Sequence, residues 1–378
     1  MKTIQNLIIG AGPAGLATAG RMRHANVKFE IIEKSQNVGN AWRNHYDRLH
    51  LHTVKQWSHL PFVPFPDDYP TYVSRRQFVD YIDKYAAHFN INPQYGVEIN
   101  SIKKEGNYWE AISNKQEKYL AENIIIATGL NSAPKMPAWK GQDLFKGKII
   151  HSNIYKNAQL FIGQKILVVG IGNTGAEIAL DLSEHGVDVC VVSRSEITLV
   201  PRDLNGRPVQ VTAKLLEKFP FGFGDWLGSQ IRKFYFGDLS KYGLKISKEH
   251  PAKMLRETGK TPLIDIGTIA AIKSGKIKVV GDIDHFTETG VQFINNGHID
   301  FDQVILATGY RARIEEFIER GGELLDTYGC PKSPIGEGFH KGLYFVGFDN
   351  YKLGGIVGTI YNDSERVVDA IKKIEVKN

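Results

Sequence analysis

Glycines fall into two matching triplets in this chain. Gly10, Gly12 and Gly15 follow the apolar run Ile4 to Ile9 in NLIIGAGPAGLA, and Gly170, Gly172 and Gly175 follow Ile166 to Val169 in KILVVGIGNTGAEIAL. Such a triplet lets the backbone turn tightly and close on a pyrophosphate, which then rests on the positive end of the following helix. The triplet alone is common. It gains meaning from a preceding strand, a following helix and a second strand that ends in a residue suited to a ribose. Both copies have that setting: helical spacing over Ala14 to Arg23 then a strand over Val27 to Ile32, and a helix over Gly175 to Glu184 then a strand over Val187 to Val192.

The two copies differ where that second strand ends, eighteen residues past the third glycine. The first has Glu33, whose carboxylate accepts hydrogen bonds from bare ribose hydroxyls and repels a 2′-phosphate. The second has Ser193 and Arg194, a hydroxyl and a guanidinium fork suited to that phosphate. The first cradle suits FAD or NAD and the second suits NADPH; the alternative for Arg194 is a solvated surface arginine. Two nucleotides on one chain imply hydride transfer from nicotinamide to isoalloxazine.

The elements that must position these residues repeat as well. IIIATG (Ile124 to Gly129) and VILATG (Val304 to Gly309) are apolar runs ending in small residues, as expected of buried parallel strands whose ends abut a ligand or another backbone. The expected fold is α/β, with two doubly wound Rossmann-like dinucleotide-binding domains and the NADPH domain inserted in the FAD domain. The expected boundaries are 1–158 for the first part of the FAD domain, 159–309 for the NADPH domain, and 310–378 for the second part of the FAD domain. A helical, aromatic-rich insertion is placed at about 205–255. Aromatic clusters at Trp42 to Tyr85 and Phe219 to Phe236 read mainly as core and domain interface, with a minority free to line an apolar substrate channel.

With 378 residues, 42% apolar and 23% charged, the chain has the composition of a globular protein with room for two cores. The net charge of +6 is spread out rather than gathered in a stripe, which argues against nucleic acid. Cys190 and Cys330 form no CxxC, so neither a disulfide framework nor a metal site is signalled, and the disulfide-reductase branch of two-nucleotide enzymes is disfavoured. No apolar run is long enough to span a bilayer, the chain opens almost directly into a strand, and a cytoplasmic setting is expected.

Reduced flavin must pass its electrons onward, and FKGKIIHSNIY (Phe145 to Tyr155) indicates where. Its pattern, F-x-G-x-x-x-H-S-x-x-Y, resembles the identifying sequence of the flavin-containing monooxygenases, which also share the order of fingerprints and ATG strands. Baeyer-Villiger relatives carry Trp where this chain has Tyr155. YDRLHLHTVKQW, PTYVSRRQFVDY and TPLIDIGTIAAIKSGKIKV resemble the YUCCA-type branch, which converts indole-3-pyruvate to indole-3-acetate. The resemblance runs from about Ile4 to Ile371.

The resemblance implies a set of site residues. Gly39, Trp42 and Arg43 match a segment that passes the flavin, with Gln56 nearby, and His151 and Ser152 lie near the nicotinamide nucleotide. His52 stands where animal-type members carry an active-site asparagine, so His52 and Lys55 are the catalytic candidates. Lys34, Val97, Thr128, Gly129, Asn173, Thr174 and Gly309 complete the expected cofactor contacts. The carboxyl segment from Gly342 reads as a strand, a glycine-rich turn and a helix from about Val357, in which Gly354 and Gly355 allow close approach to the flavin, with Gly347 and Gly354 among the expected cofactor contacts. Arg43, Arg48 and Lys55 are candidates to hold a substrate carboxylate.

The expected activity is an NADPH-dependent FAD monooxygenase that forms a flavin hydroperoxide and oxygenates nitrogen, sulfur or a 2-oxo acid such as indole-3-pyruvate. Rivals are Baeyer-Villiger ketone oxygenation, reduction of a quinone or protein acceptor, and a redox-sensing module without turnover. The expected partners are a small organic substrate and dioxygen, with no nucleic acid and no membrane; a homodimer is compatible with the sequence.

Overall fold

Strand β1 (Lys2–Ile9) is buried on both faces from Leu7 to Ile9, a pattern that suits a strand covered on each side. It pairs in parallel with β2 (Glu30–Glu33) and with β6 (Lys118–Ile126), Ile9 lying opposite Ile32 and Ile126. The computed structural model describes residues 2–216, 233–247, 249, 251, 254, 261–349 and 355–375. The chain divides into two units: Met1–Asn44 with Leu49–Ala133 and Tyr310–Asn378, and His45–Arg48 with Pro134–Gly309.

In the first unit, β1 feeds helix α1 (Pro13–His24), with Pro13 at the helix start, where its missing N–H costs nothing. Further on come α2 (Asn40–Asn44), α3 (Arg75–His88), β3 (Gln94–Tyr95), β4 (Ile99–Glu105) and β5 (Tyr108–Ser113). The sheet order is β3-β2-β1-β6-β5-β4, and strand Leu343–Phe345 joins β6 in parallel. The β4-β5-β6 meander is antiparallel, so the sheet is mixed. Ser74 caps α3 reciprocally with Gln77 and fixes where that helix begins. The last helix, Gly355–Glu375, packs on α1, where the Arg21 guanidinium donates to Ser364 Oγ at 3.1 Å and lies over the Tyr361 ring.

The second unit interrupts the first and repeats its opening. Strands β7 (Lys148–His151), β8 (Lys165–Val169), β9 (Asp188–Val192), β10 (Ile277–Val280) and β11 (Gln303–Leu306) form an all-parallel sheet in the order β10-β9-β8-β11-β7. Helix α4 (Asn173–Glu184) links β8 to β9, and a small antiparallel sheet over Ile283–Asp300 adds Phe286, Val291 and Phe293 to the core. The segment with the F-x-G-x-x-x-H-S-x-x-Y pattern falls in this unit because β7 hydrogen-bonds β11.

Much of the first aromatic cluster is core: Trp42 packs on Phe78 and Phe65 on Tyr81, each pair with centroids 4.4 Å apart. Phe62 is the exception, exposed at φ +69°. In the second cluster Phe221, Phe223 and Trp226 lie outside the described residues; Phe234 is 93% exposed and Phe236 buried.

The two glycine turns are built alike. A Cβ on Gly10 would lie 2.6 Å from Ala127 O and one on Gly15 1.8 Å from Gly10 O; the counterparts are Gly170 to Ala307 O at 2.7 Å and Gly175 to Gly170 O at 1.9 Å. Gly12 and Gly172, by contrast, have nothing within 4 Å of that position. Gly175→Ala should therefore destabilise the protein by about 1–3 kcal/mol, the usual cost of overpacking. Gly172→Ala should melt within a degree or two of wild type, a comparison made by thermal unfolding; equal losses in both would contradict the assignment of tight and open positions.

Candidate functional site

Gly12 and Gly172 occupy the N-cap positions of α1 and α4, and neither cap is closed by a side chain. The first N–H groups of each helix have no intrahelical acceptor, so both turns are open anion cradles.

Around the first cradle, Glu33 is buried at the end of β2. It accepts from Ala11 N at 2.7 Å, Ser35 N at 2.9 Å and Ser35 Oγ at 2.7 Å. A carboxylate offers about four acceptor positions, so three are engaged in shaping the turn and capacity remains for a ribose hydroxyl. Gly39, at φ +63°, donates its N–H to Ala11 O at 2.9 Å and so closes the loop over the turn. Val97 is buried and its N–H reaches Glu33 O, whereas Lys34 is exposed and 3.7 Å from Glu98. Thr128 Oγ1 is buried without a hydrogen-bond partner, and Gly129 beside it has open space and φ +80°. Gly347, also at positive φ, sits where a Cβ would strike Ile360 at 2.8 Å and Ala14 at 3.3 Å, between the last helix and α1. Gly354 lies outside the described residues.

The catalytic candidates are placed differently from one another. Lys55 Nζ donates to Tyr69 O at 2.6 Å and Asp67 O at 2.8 Å and reaches Pro66 O at 3.5 Å. Its three donors hold the 66–69 loop. His52 is half-buried beside Thr53, whose Cγ2 is 3.3 Å from the Cβ position of Gly355, the first residue of the last helix. That helix end carries partial positive charge. Gln56 is exposed. The proposed carboxylate holders are committed as well: Arg43 pairs with Asp83 and donates to Val38 O, and Arg48 pairs with Glu184 at 2.8 Å and Asp181 at 3.5 Å.

At the second cradle, Ser193 Oγ is buried without a hydrogen-bond partner, and the adjoining Arg194 is exposed with no ion pair among the described residues. Asn173 turns away from the turn, accepting from Ile264 N at 2.7 Å and donating to Pro262 O at 3.1 Å. It pins the start of the strand Leu263–Asp265. Thr174 stands in the first turn of α4. Ser152 Oγ, on the loop after β7, is a third buried hydroxyl without a partner.

The residues of the F-x-G-x-x-x-H-S-x-x-Y pattern now have physical roles. Phe145 packs on Phe286, and Gly147 leaves room for Asp302 O, which would lie 2.3 Å from a Cβ. Tyr155, 1% exposed, donates to Asp181 Oδ2 on α4, and burial and Asp181 together push its pKa far up. His151 accepts from Asn153 N at 3.2 Å through Nδ1, which leaves Nε2–H to donate to Gly309 O at 3.2 Å. Burial lowers the His151 pKa, opposed by its bonds to Asn153 and Gly309, so the neutral tautomer holds the Gly309 carbonyl. Sequence reasoning missed Asp181, since a buried polar partner on one helix face leaves no periodic signal.

A glycine cradle at the carboxyl end of a parallel strand in each of two sheets, β1 in one and β8 in the other, defines an oxidoreductase that holds two nucleotides. The family profile described as "Pyridine nucleotide-disulphide oxidoreductase" matches residues 7–206. The chain is 35% identical to indole-3-pyruvate monooxygenase YUCCA1 of Oryza sativa subsp. japonica, over 98% of this chain and 95% of that protein. In fold it resembles the flavin-containing monooxygenase of Stenotrophomonas maltophilia (TM-score 0.73, 19% identity, 100% and 99% of the two chains). It also resembles oxidised steroid monooxygenase bound to NADP (TM-score 0.78, 18% identity, 100% and 86% of the two chains). This chain belongs to the flavin monooxygenase family, among the relatives of the YUCCA enzymes. Its two cysteines are free thiols, one buried in β9. No described helix is long and apolar enough to cross a membrane.

Because the His151 pKa is lowered on folding, its neutral form contributes stability above the ordinary histidine range, and that contribution is lost as pH falls through the lowered value. Denaturation midpoints measured between pH 7.5 and 5 should fall for wild type and fall less for His151→Gln. A steeper fall in the variant would reverse the assignment.

Proposed function

We propose that the chain binds FAD in the first cradle and NADPH in the second, and uses dioxygen to oxygenate a small 2-oxo acid of the indole-3-pyruvate type. The observation that carries this reading is the contrast between the two cradles: a buried carboxylate on one, and a buried unpartnered hydroxyl beside an exposed guanidinium on the other. The substrate class rests on the named activity of the YUCCA relatives.

The residues present fit both groups. In the first cradle the open face of Gly12 and the free N–H groups of α1 would meet a pyrophosphate. Glu33 would accept from the ribose, and Thr128 would donate its unpartnered hydroxyl proton. In the second, Gly172 and α4 offer the same surface, and Ser193 with Arg194 would take the 2′-phosphate. When bound, the nicotinamide nucleotide supplies a hydride and the flavin accepts it and activates dioxygen.

The protein's own contributions are binding, orientation and charge. His151 keeps its proton on Nε2 and holds the Gly309 carbonyl, with Ser152 Oγ beside it as a donor awaiting an acceptor. The amino end of the last helix favours negative charge beside His52 and Thr53.

Purified protein should be yellow and should consume oxygen when NADPH is added with indole-3-pyruvate. Mass spectrometry under labelled oxygen should find one labelled atom incorporated into indole-3-acetate. Rapid reduction of an artificial acceptor without oxygen incorporation would favour the reductase alternative, and a lactone or ester from a ketone the Baeyer-Villiger one.

The second cradle has its own test. Loss of a charge-assisted contact costs about 1.5–3 kcal/mol, so Arg194→Ala should raise KM for NADPH roughly tenfold or more. The KM for NADH should change little, and an unaltered preference would refute the phosphate assignment.

A further inference from the structure

Parallel pairing aligns the strand ends of the second unit in one row. Val192 lies opposite Val169, Val169 opposite Leu306, and Leu306 opposite His151. The next residue along each strand continues that row as Ser193, Gly170, Ala307 and Ser152. Its two outer members are buried serines, 9% and 3% exposed, whose hydroxyls meet no group among the described residues. Their backbones are engaged: Ser193 N donates to Val280 O at 3.0 Å and Ser152 N to Leu306 O at 2.9 Å. Only the side chains are left wanting, and a buried hydroxyl without a partner is uncommon enough to need a reason.

Neighbouring strands lie about 4.8 Å apart, so Ser193 is one spacing from the glycine turn, Ser152 is two spacings away on the other side, and the serines are about 14 Å from each other. One phosphate or one sugar cannot meet both. An elongated ligand that crosses the turn near its middle can, and a dinucleotide with its central pyrophosphate has that form. The strand order gives the direction. It runs β10-β9-β8-β11-β7, so it reverses between β8 and β11, where sheets of this kind take a ligand. With Arg194 beside Ser193, the phosphorylated adenosine ribose belongs on the β9 side. The other half then extends over β11 toward β7. Gly309, just past β11, leaves that direction open: a Cβ there would meet nothing within 4 Å, and its carbonyl is held by Lys135 N at 2.9 Å and His151 Nε2 at 3.2 Å.

We propose that Ser152 binds the nicotinamide riboside half of the nucleotide, donating its hydroxyl proton to an oxygen of that half, while Ser193 and Arg194 hold the adenosine end. This rests on reading the second cradle as the NADPH site. The two serines are then the two ends of one site, with the turn before α4 between them. Each reads a different half of the same molecule, so a fragment that carries only one half separates them.

The test uses FAD-loaded wild type, Ser152→Ala and Ser193→Ala, with dissociation constants for NADP⁺ and for adenosine 2′,5′-bisphosphate measured by calorimetry. Ser152→Ala should weaken NADP⁺ by about three- to tenfold, the range for one neutral hydrogen bond, and leave the bisphosphate, which lacks the nicotinamide half, unchanged. Ser193→Ala should weaken both. Unaltered NADP⁺ binding in Ser152→Ala, or an equal loss for the bisphosphate, would overturn the proposal. Thermal midpoints without nicotinamide nucleotide supply a second reading. Removing a hydroxyl that has no partner in the fold should leave the midpoint level or raise it, whereas a fall of several degrees would reveal a structural role and overturn the proposal. A wild type that binds neither NADP⁺ nor the bisphosphate overturns the reading of the cradle itself, an outcome distinct from normal wild-type binding that Ser152→Ala leaves intact.

Discussion

Two carbonyl oxygens, those of Ala127 and Ala307, lie where a side chain on Gly10 or Gly170 would have to be. That close approach of strand end to turn organises each unit. It requires glycine at the first position of the triplet, and the positive φ of Gly10 and Gly170, +105° and +108°, reinforces the requirement. The turn then carries the chain into a helix whose third-position glycine touches the first glycine's own carbonyl. Backbone packed on backbone leaves the middle glycine facing outward, and this is how a rigid turn keeps an open anion site at its tip.

The constraint also explains why so much of the fold was legible. A strand that ends in Ala-Thr-Gly and a turn that opens in glycine are two halves of one contact, so their joint occurrence, twice, specifies a parallel sheet and its neighbouring strand. Helix positions followed from apolar spacing: Ala14 to Arg23 was read and Pro13–His24 is found, and Gly175 to Glu184 was read where Asn173–Glu184 is found. Side-chain commitments were not legible. Nothing local in the chain says that Lys55 will turn to three carbonyls of its own loop, or that Asn173 will bind a strand ninety residues on rather than a phosphate. Those partners are chosen by tertiary proximity, which spacing does not encode.

The same division separates two kinds of buried polar group. Tyr155 with Asp181, and Arg21 with Ser364, are satisfied internally and hold segments in place. Thr128, Ser152 and Ser193 are buried with hydroxyls that no protein group meets. Folded proteins seldom leave such atoms unmet, because each forfeits its hydration. All three lie directly after a parallel strand, at the end where nucleotides bind in sheets of this kind.

The pairing of Arg21 with Ser364 bears on how the polypeptide is made. During synthesis the first helix emerges long before the last one that covers it. The opening βαβ motif thus spends most of translation with an apolar flank unclothed, in the condition that favours aggregation or chaperone capture. Only once the helix Gly355–Glu375 has been made can that flank close, so a segment made early is sealed late.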